Sequence, residues 1–237
     1  MKIVEKIIAI IPARGGSKGI SRKNVKNLIN KPLLSYTIEE ALKSKFIKRV
    51  FVSTDDNEIA KFAREAKAEV IKRPTELAKD NSHRRDAIKH VLNTLQNEMN
   101  YFPELIVFLQ PTSPLRTVED IENAITLYLE KDCDSVISVC ESTHTPYWSL
   151  SVKNEFIVPL FGWDFLLNKM RQNLPKTYFL NGAIYITSVK DFLKNNSLFN
   201  KRSLPYLMPF ERSVDIDNEF DFSLAEYLMR KRLVERE

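Results

Sequence analysis

Two stretches hold the residues best suited to chemistry. Near the N-terminus, Arg14, Gly15, Gly16, Ser17, Lys18, Gly19, Arg22, Lys23 and Asn24 put three of the chain's five glycines and four cations into one short loop. Glycines let backbone amides approach a ligand closely, and successive amides form a concavity suited to anions. Arginine and lysine add fixed positive charge around it. A ligand with several adjacent negative charges, such as a triphosphate, fits this composition. Near the C-terminus, Asp215 and Asp217 stand two apart in Arg212-Ser213-Val214-Asp215-Ile216-Asp217. On an extended segment such residues point to one face. Two carboxylates there repel unless a cation lies between them, and Mg2+, a hard ion that takes oxygen ligands and phosphate, is the natural candidate. Asp217 is also placed to cap the helix predicted by Phe220, Leu224, Ala225 and Leu228.

The elements that must position these groups follow from periodicity. Ile7 to Ile11 are five consecutive apolar residues, which read as a strand buried on both faces, closed by Pro12. The glycine loop therefore leaves the carboxyl end of a first buried strand, where open α/β sheets bind ligands. Its spacing matches neither the dinucleotide fingerprint nor the P-loop. Further strands are expected at 47–54, 68–71, 105–109 and 135–139. Helices are expected from Pro32 onward, after Asp55-Asp56, at 86–99 and at 117–131. Asp55 and Asp56 read as helix caps. The alternation predicts an α/β fold with a mostly parallel sheet. From Glu141 to Thr177 the pattern breaks, and Trp148, Phe156, Phe161, Trp163 and Phe165 mix with polar residues, which suggests an interface.

The motifs along this frame resemble one family. PARGGSKG followed by RKN is similar to the N-terminal signature of the CMP-sugar synthetases, the cytidylyltransferases that activate sialic acid and related nonulosonic acids. The family often has proline where this chain has Ser21. RPTELA at Arg73 to Ala78, QPTSPLR at Gln110 to Arg116, NGAIYI at Asn181 to Ile186 and DID at Asp215 to Asp217 extend the resemblance over nearly the whole chain. It implies a three-layer, Rossmann-like nucleotidyltransferase fold, 1–237 as a single domain, and 141–180 as an excursion through which a homodimer forms. It implies that Arg14, Gly15, Ser17, Lys18, Lys23, Asn24 and Arg73 hold CTP, with Arg14, Lys18 and Asp217 catalytic, and that Asp215 and Asp217 bind Mg2+.

The acceptor, a nine-carbon keto sugar acid, would meet Gln110, Asn181 and Tyr185. A glutamine just beyond a strand offers both a donor and an acceptor to a sugar edge. Two prolines preset the backbone of its loop. Arg116 is placed to touch phosphate or to cap the next helix. Two departures stand out. His83, Arg84 and Arg85 replace small hydroxyl residues of the family, and Phe179 stands where sialate enzymes usually carry a basic residue. Arg171 matches another basic position of the excursion and is the candidate for the acceptor carboxylate. The Phe179 departure admits a legionaminic-type acid beside N-acetylneuraminate.

Composition bounds the rest. The chain has 237 residues, 43% hydrophobic and 28% charged, with a net charge of +5. The charge suits an anionic ligand, or equally nucleic acid. A nucleic-acid-binding protein is the alternative from another class, but its basic loops should interleave with aromatic stacking platforms, and these do not. No nucleic-acid partner is therefore expected. Synthetases for Kdo or pseudaminic acid are further alternatives, against which the NGAIY resemblance argues. No apolar run reaches membrane-spanning length, so no membrane association and a cytoplasmic protein are expected. Cys133 and Cys140 read as reduced core thiols, and His90 and His144 as packing residues rather than metal ligands.

Overall fold

The computed structural model describes residues 2–16, 19–79 and 82–235. The first strand, β1 (Ile7–Pro12), is followed by a small hairpin, β2 (Asn27–Leu28) and β3 (Lys31–Pro32). Then come α1 (Leu33–Lys43), β4 (Ile47–Thr54), α2 (Asn57–Glu65), β5 (Glu69–Lys72), α3 (Arg84–Met99), β6 (Leu105–Phe108), α4 (Val118–Glu130) and β7 (Ser135–Glu141). The excursion holds β8 (Leu150–Lys153), β9 (Phe156–Pro159) and α5 (Trp163–Leu167). The chain ends with β10 (Tyr178–Ser188), α6 (Val189–Asn195), β11 (Ser203–Leu207) and α7 (Glu219–Val234).

Seven strands form one sheet in the order β11-β7-β10-β6-β1-β4-β5. Every neighbouring pair is parallel except the two made by β10, which runs antiparallel to both β6 and β7. Helices cover both faces. Ile7, Ala9 and Ile11 of β1 pack with apolar residues of α1, α2 and α4, while Ile8 and Ile10 pack with α3 and Phe192 of α6. That two-sided burial is why β1 reads as a continuous apolar run rather than an alternating one. Each of these isoleucines removed from water is worth roughly 1.5–3 kcal/mol. A third cluster seats α7 against Leu33, Leu115 and Ile216.

The chain passes from β1 to β4 and β5 on one side, then returns to β6 on the other side of β1. The crevice above β1 and β6 is thus the switch point at which open α/β sheets take ligands. Between β10's pairings with β7 lies a bulge, from Leu180 to Tyr185, holding Asn181 and Gly182. Bulges re-aim side chains next to sites. Here Gly182 has φ +72°, and a Cβ on it would sit 2.9 Å from Asp215 Oδ2 and 3.1 Å from Gln110 Oε1.

The segment 188–209 carries no expected element, yet forms α6 and β11. Seven residues are too few for a helical period to stand out. β11 contains Pro205, which an edge strand tolerates because one of its sides needs no donor. In the excursion, β8 and β9 form a hairpin whose turn residues Asn154 and Glu155 both have positive φ, as a two-residue hairpin requires. Its apolar side chains have little to pack on: Val152, Phe156 and Leu167 are each more than 70% exposed. Cys133 and Cys140 are free and buried.

Candidate active site

The loop after β1 is tied to its neighbours at both of its described ends. Ala13 donates its amide to Ser53 O at 2.9 Å, so the chain follows β4 one step past the strand. Gly15 N then donates to Asp55 Oδ1 at 3.0 Å. Ser17 and Lys18, expected on the CTP phosphates, lie outside the described residues. At the far end, a 3-10 turn over Lys23–Val25 aims Lys23 and Asn24 inward, and both are buried. Lys23 Nζ donates to Ile216 O and stands 3.4 Å from Asp217 Oδ1. Asn24 donates to Arg14 O at 3.0 Å, while its Oδ1 is buried without a partner. A Cβ on Gly19 would lie 1.8 Å from Asp217 O, so only glycine lets the loop pass the C-terminal acids.

The acids are fixed from the other side. Ile216 N donates to Thr112 O at 2.8 Å, tying their segment to the loop after β6. Asn218, not Asp217, caps α7, in a reciprocal box with Asp221. Asp217 is thereby left with a side chain 79% exposed at the cavity. Asp215 is largely withdrawn, and its Oδ1 is buried with no hydrogen-bond partner. Burial pushes the Asp215 carboxyl up, with Asp217 adding in the same direction, while Thr112 and Lys23 act the other way. An orphaned buried carboxylate oxygen beside a second carboxylate is a donor set that fits a hard divalent ion. Among the described residues no group of three or more acidic, histidine or cysteine side chains could hold a metal. A metal here would therefore draw its remaining ligands from phosphate and water.

Together these loops enclose a cavity of about 300 Å3, lined by Pro12, Arg14, Gly19, Lys23, Asn24, Gln110, Pro111, Thr112 and Asp217. The structure thus brings together Arg14, Lys23, Asn24, Gln110 and Asp217, with Asp215 close behind.

Gly15, its amide held by Asp55, does not line the cavity, and four other expected site residues sit elsewhere. Arg73 is buried behind the loop, donating to Ser53 O at 2.6 Å, and is not on the cavity wall. Burial lowers its pKa; Asp55 opposes that shift and Arg14 adds to it. Asn181 and Tyr185, read as sugar contacts, are interior instead. The Asn181 amide is committed within the chain: Oδ1 accepts from Ser138 Oγ at 2.6 Å and Ala183 N at 3.2 Å, and Nδ2 donates to Ser213 Oγ at 2.9 Å. It holds the bulge together. Tyr185 packs edge-on to Phe108 and Phe199, with the Arg84 guanidinium over its ring at 5.3 Å. Arg171 lines a separate cleft with Thr143, Tyr178 and Phe210, and donates to Thr143 O at 2.8 Å.

Arg116 takes neither of its expected roles. It is buried and donates to Ala183 O at 2.7 Å and Thr37 Oγ1 at 2.8 Å, locking the loop after β6 to β10 and α1. Burial brings its pKa down to about 10, so it stays a cation at neutral pH. The cap of α4 is Thr117, reciprocated by Asp120. Two residues take parts that the sequence does not announce, Thr112 on the cavity wall and Asp55 behind the loop. Asp55 read as a helix cap but holds Gly15, and Thr112 lies inside the QPTSPLR motif without a role of its own. The acidic pair directly after a strand and opposite the loop was the available signal.

A cytidylyltransferase family model matches residues 8–236. An N-acylneuraminate cytidylyltransferase of Escherichia coli is 39% identical over 229 residues, 96% of this chain and 53% of that protein, so the chain spans about half its length. A CMP-N,N'-diacetyllegionaminic acid synthase of Legionella pneumophila is 35% identical over 94% of this chain and 96% of its own. A protein of Campylobacter coli named post-translational flagellin modification protein B is 30% identical, with 97% of each chain covered. Among solved structures, a CMP:2-keto-3-deoxy-manno-octonic acid synthetase complexed with CTP superposes with a TM-score of 0.69 at 16% identity. It covers 96% of this chain and 99% of its own, a likeness of fold. A family model spanning nearly the whole sequence, on a sheet whose switch point carries the matching motifs, means that this chain belongs to the cytidylyltransferase family.

Proposed function

We propose that the protein joins CTP to a nonulosonic acid of the sialic or legionaminic type, releasing pyrophosphate and giving the CMP-sugar. The observation that carries this reading is the convergence of the cationic loop, Asp217 and Gln110 on one cavity. The anomeric hydroxyl of the acceptor attacks the α-phosphorus and pyrophosphate leaves in line. Such chemistry needs positioning and charge neutralisation rather than covalent help. Arg14, Lys18 and Lys23 offset charge as it moves onto the departing pyrophosphate. Gln110 orients the sugar. Asp215 and Asp217 would hold Mg2+, which when bound supplies a Lewis acid to the phosphate oxygens.

The names of the Escherichia coli and Legionella pneumophila relatives support both acceptor types. The exposed apolar excursion supports a homodimer in which Arg171 reaches an acceptor from outside its own cavity. No helix among the described residues is long and apolar enough to cross a membrane, and we place the activity in the cytoplasm.

The test is pyrophosphate release from labelled CTP with Mg2+ across a panel of N-acetylneuraminate, legionaminic, pseudaminic and Kdo acids. Turnover with either of the first two supports the proposal. Turnover only with Kdo or pseudaminic acid, or with none, overturns it.

A further inference from the structure

Both described ends of the glycine loop are tied to one point, the start of α2. Gly15 N donates to Asp55 Oδ1 at 3.0 Å. Seven residues on, Arg22 grips Asp56 through both guanidinium nitrogens, Nη1 to Oδ2 at 2.5 Å and Nη2 to Oδ1 at 3.1 Å, and Nη2 also reaches Glu58. Asp56 Oδ1 meanwhile accepts from Ile59 N at 2.9 Å as the cap of α2. Arg22 holds a left-handed backbone, φ 57° and ψ 28°, which a non-glycine residue adopts only when its surroundings enforce it. That backbone starts the turn that sends Lys23 and Asn24 into the cavity, since Arg22 O accepts from Val25 N at 3.0 Å and Lys26 N at 3.1 Å. A Cβ on Gly15 would come within 2.9 Å of Asp56 Oδ2, so the two ends also meet each other through Asp56. Arg22, Asp55 and Asp56 do not line the cavity.

We propose that Arg22, Asp55 and Asp56 form a positioning clamp that sets the spread of the loop and thereby aims Lys23 and Asn24. The clamp touches no reacting atom. Bidentate arginine–carboxylate pairing fixes direction as well as distance, which a single charge contact does not. The Arg22 guanidinium also holds the Asp56 carboxyl below its ordinary range. The clamp's consequence for the substrate rests on the CTP reading above; its consequence for the loop does not.

Asp56→Asn separates the clamp from the cap, because asparagine caps helices as well as aspartate does. Arg22→Ala removes the grip, and Arg22→Lys restores a charge without the fork. Hydrogen exchange in the ligand-free protein should rise about tenfold in peptides of the loop for Arg22→Ala and Asp56→Asn, from loss of a charge-assisted bond, with β1 protection and Tm unchanged. In turnover, the KM for CTP should rise about tenfold while the acceptor KM holds and kcat moves less, and Arg22→Lys should recover part of that. Unchanged loop exchange in both variants overturns the clamp, whatever the nucleotide. Tm falling together with β1 protection overturns it in favour of a general structural role. Faster loop exchange in a protein that does not bind CTP upholds the clamp and rejects the functional reading.

Discussion

At the crevice above β1 and β6, most polar side chains are tied to the chain's own backbone: Lys23 to Ile216, Asn24 to Arg14, Arg116 to Ala183, Asn181 to Ala183. Of the buried polar atoms left without partners, Asn24 Oδ1 and Thr112 Oγ1 belong to residues that line the cavity and Asp215 Oδ1 lies behind it, while those of His90 and Asn196 lie on other elements. In the excursion from 141 to 180 the opposite holds. Its hairpin pairs only with itself, and Val152, Phe156, Ile157 and Leu167 face outward. In one region most polar groups are satisfied within the fold; in the other, apolar side chains stay exposed. Buried polar atoms without partners cost roughly 1–3 kcal/mol each, so they persist where a ligand satisfies them. Exposed apolar side chains persist where another face covers them.

This contrast breaks if the variants below cross categories. The largest effect is expected at Lys18. Lys18→Ala should lower turnover by about a thousandfold, the scale of losing one preorganised group that stabilises developing charge, with an unchanged melting curve. Near-normal turnover removes Lys18 from the mechanism. Asn181→Ala should do the reverse. With Ala183 N left unpaired and Ser138 and Ser213 each losing one partner while keeping others, it should lose about 1–3 kcal/mol in urea unfolding while the acceptor KM holds. A raised acceptor KM with full stability would return Asn181 to the sugar.

Acid sharpens the comparison further. Burial alone would raise the Asp120 carboxyl, but Arg212, which donates from Nε and Nη2 at 2.9 Å each, and Thr117 outweigh it, and the net shift is down. A carboxylate depressed on folding contributes stability above its unfolded value, near 3.8, and loses that contribution as pH falls through the folded value. Urea midpoints of the wild type should therefore drop between about pH 5 and pH 2 more steeply than those of Asp120→Asn. Equal slopes would mean that the pair with Arg212 does not stabilise the fold.

The smallest effect on folding is expected in the excursion. Val152→Asp should change unfolding free energy by less than about 0.5 kcal/mol, as solvent-facing substitutions do. It should still weaken self-association in sedimentation equilibrium. A dimer that tolerates it forms through another surface.

Much of the frame was legible because both sheet faces are buried. The runs 7–11 and 105–109 had to be apolar throughout, and α2 and α4 carry their own caps in Asp56 and Thr117. The loop cations and the twin aspartates could be named from residue type and spacing alone. Their meeting could not, since Lys23 and Asp217 are 194 positions apart and only the return of the chain past β6 and β10 brings them within 3.4 Å. Nor could burial be read at Arg116, Asn181 and Tyr185, whose polar groups look equally fit for a ligand until the packing around them is known. The bulge after Leu180 turns Asn181 inward, and Arg116 is enclosed by β10 and α1. Residue chemistry and period set what each segment can do, because these are local properties of a few consecutive side chains. Which polar groups remain for a substrate was decided by tertiary packing, because a hydrogen bond already made inside the chain is no longer available outside it.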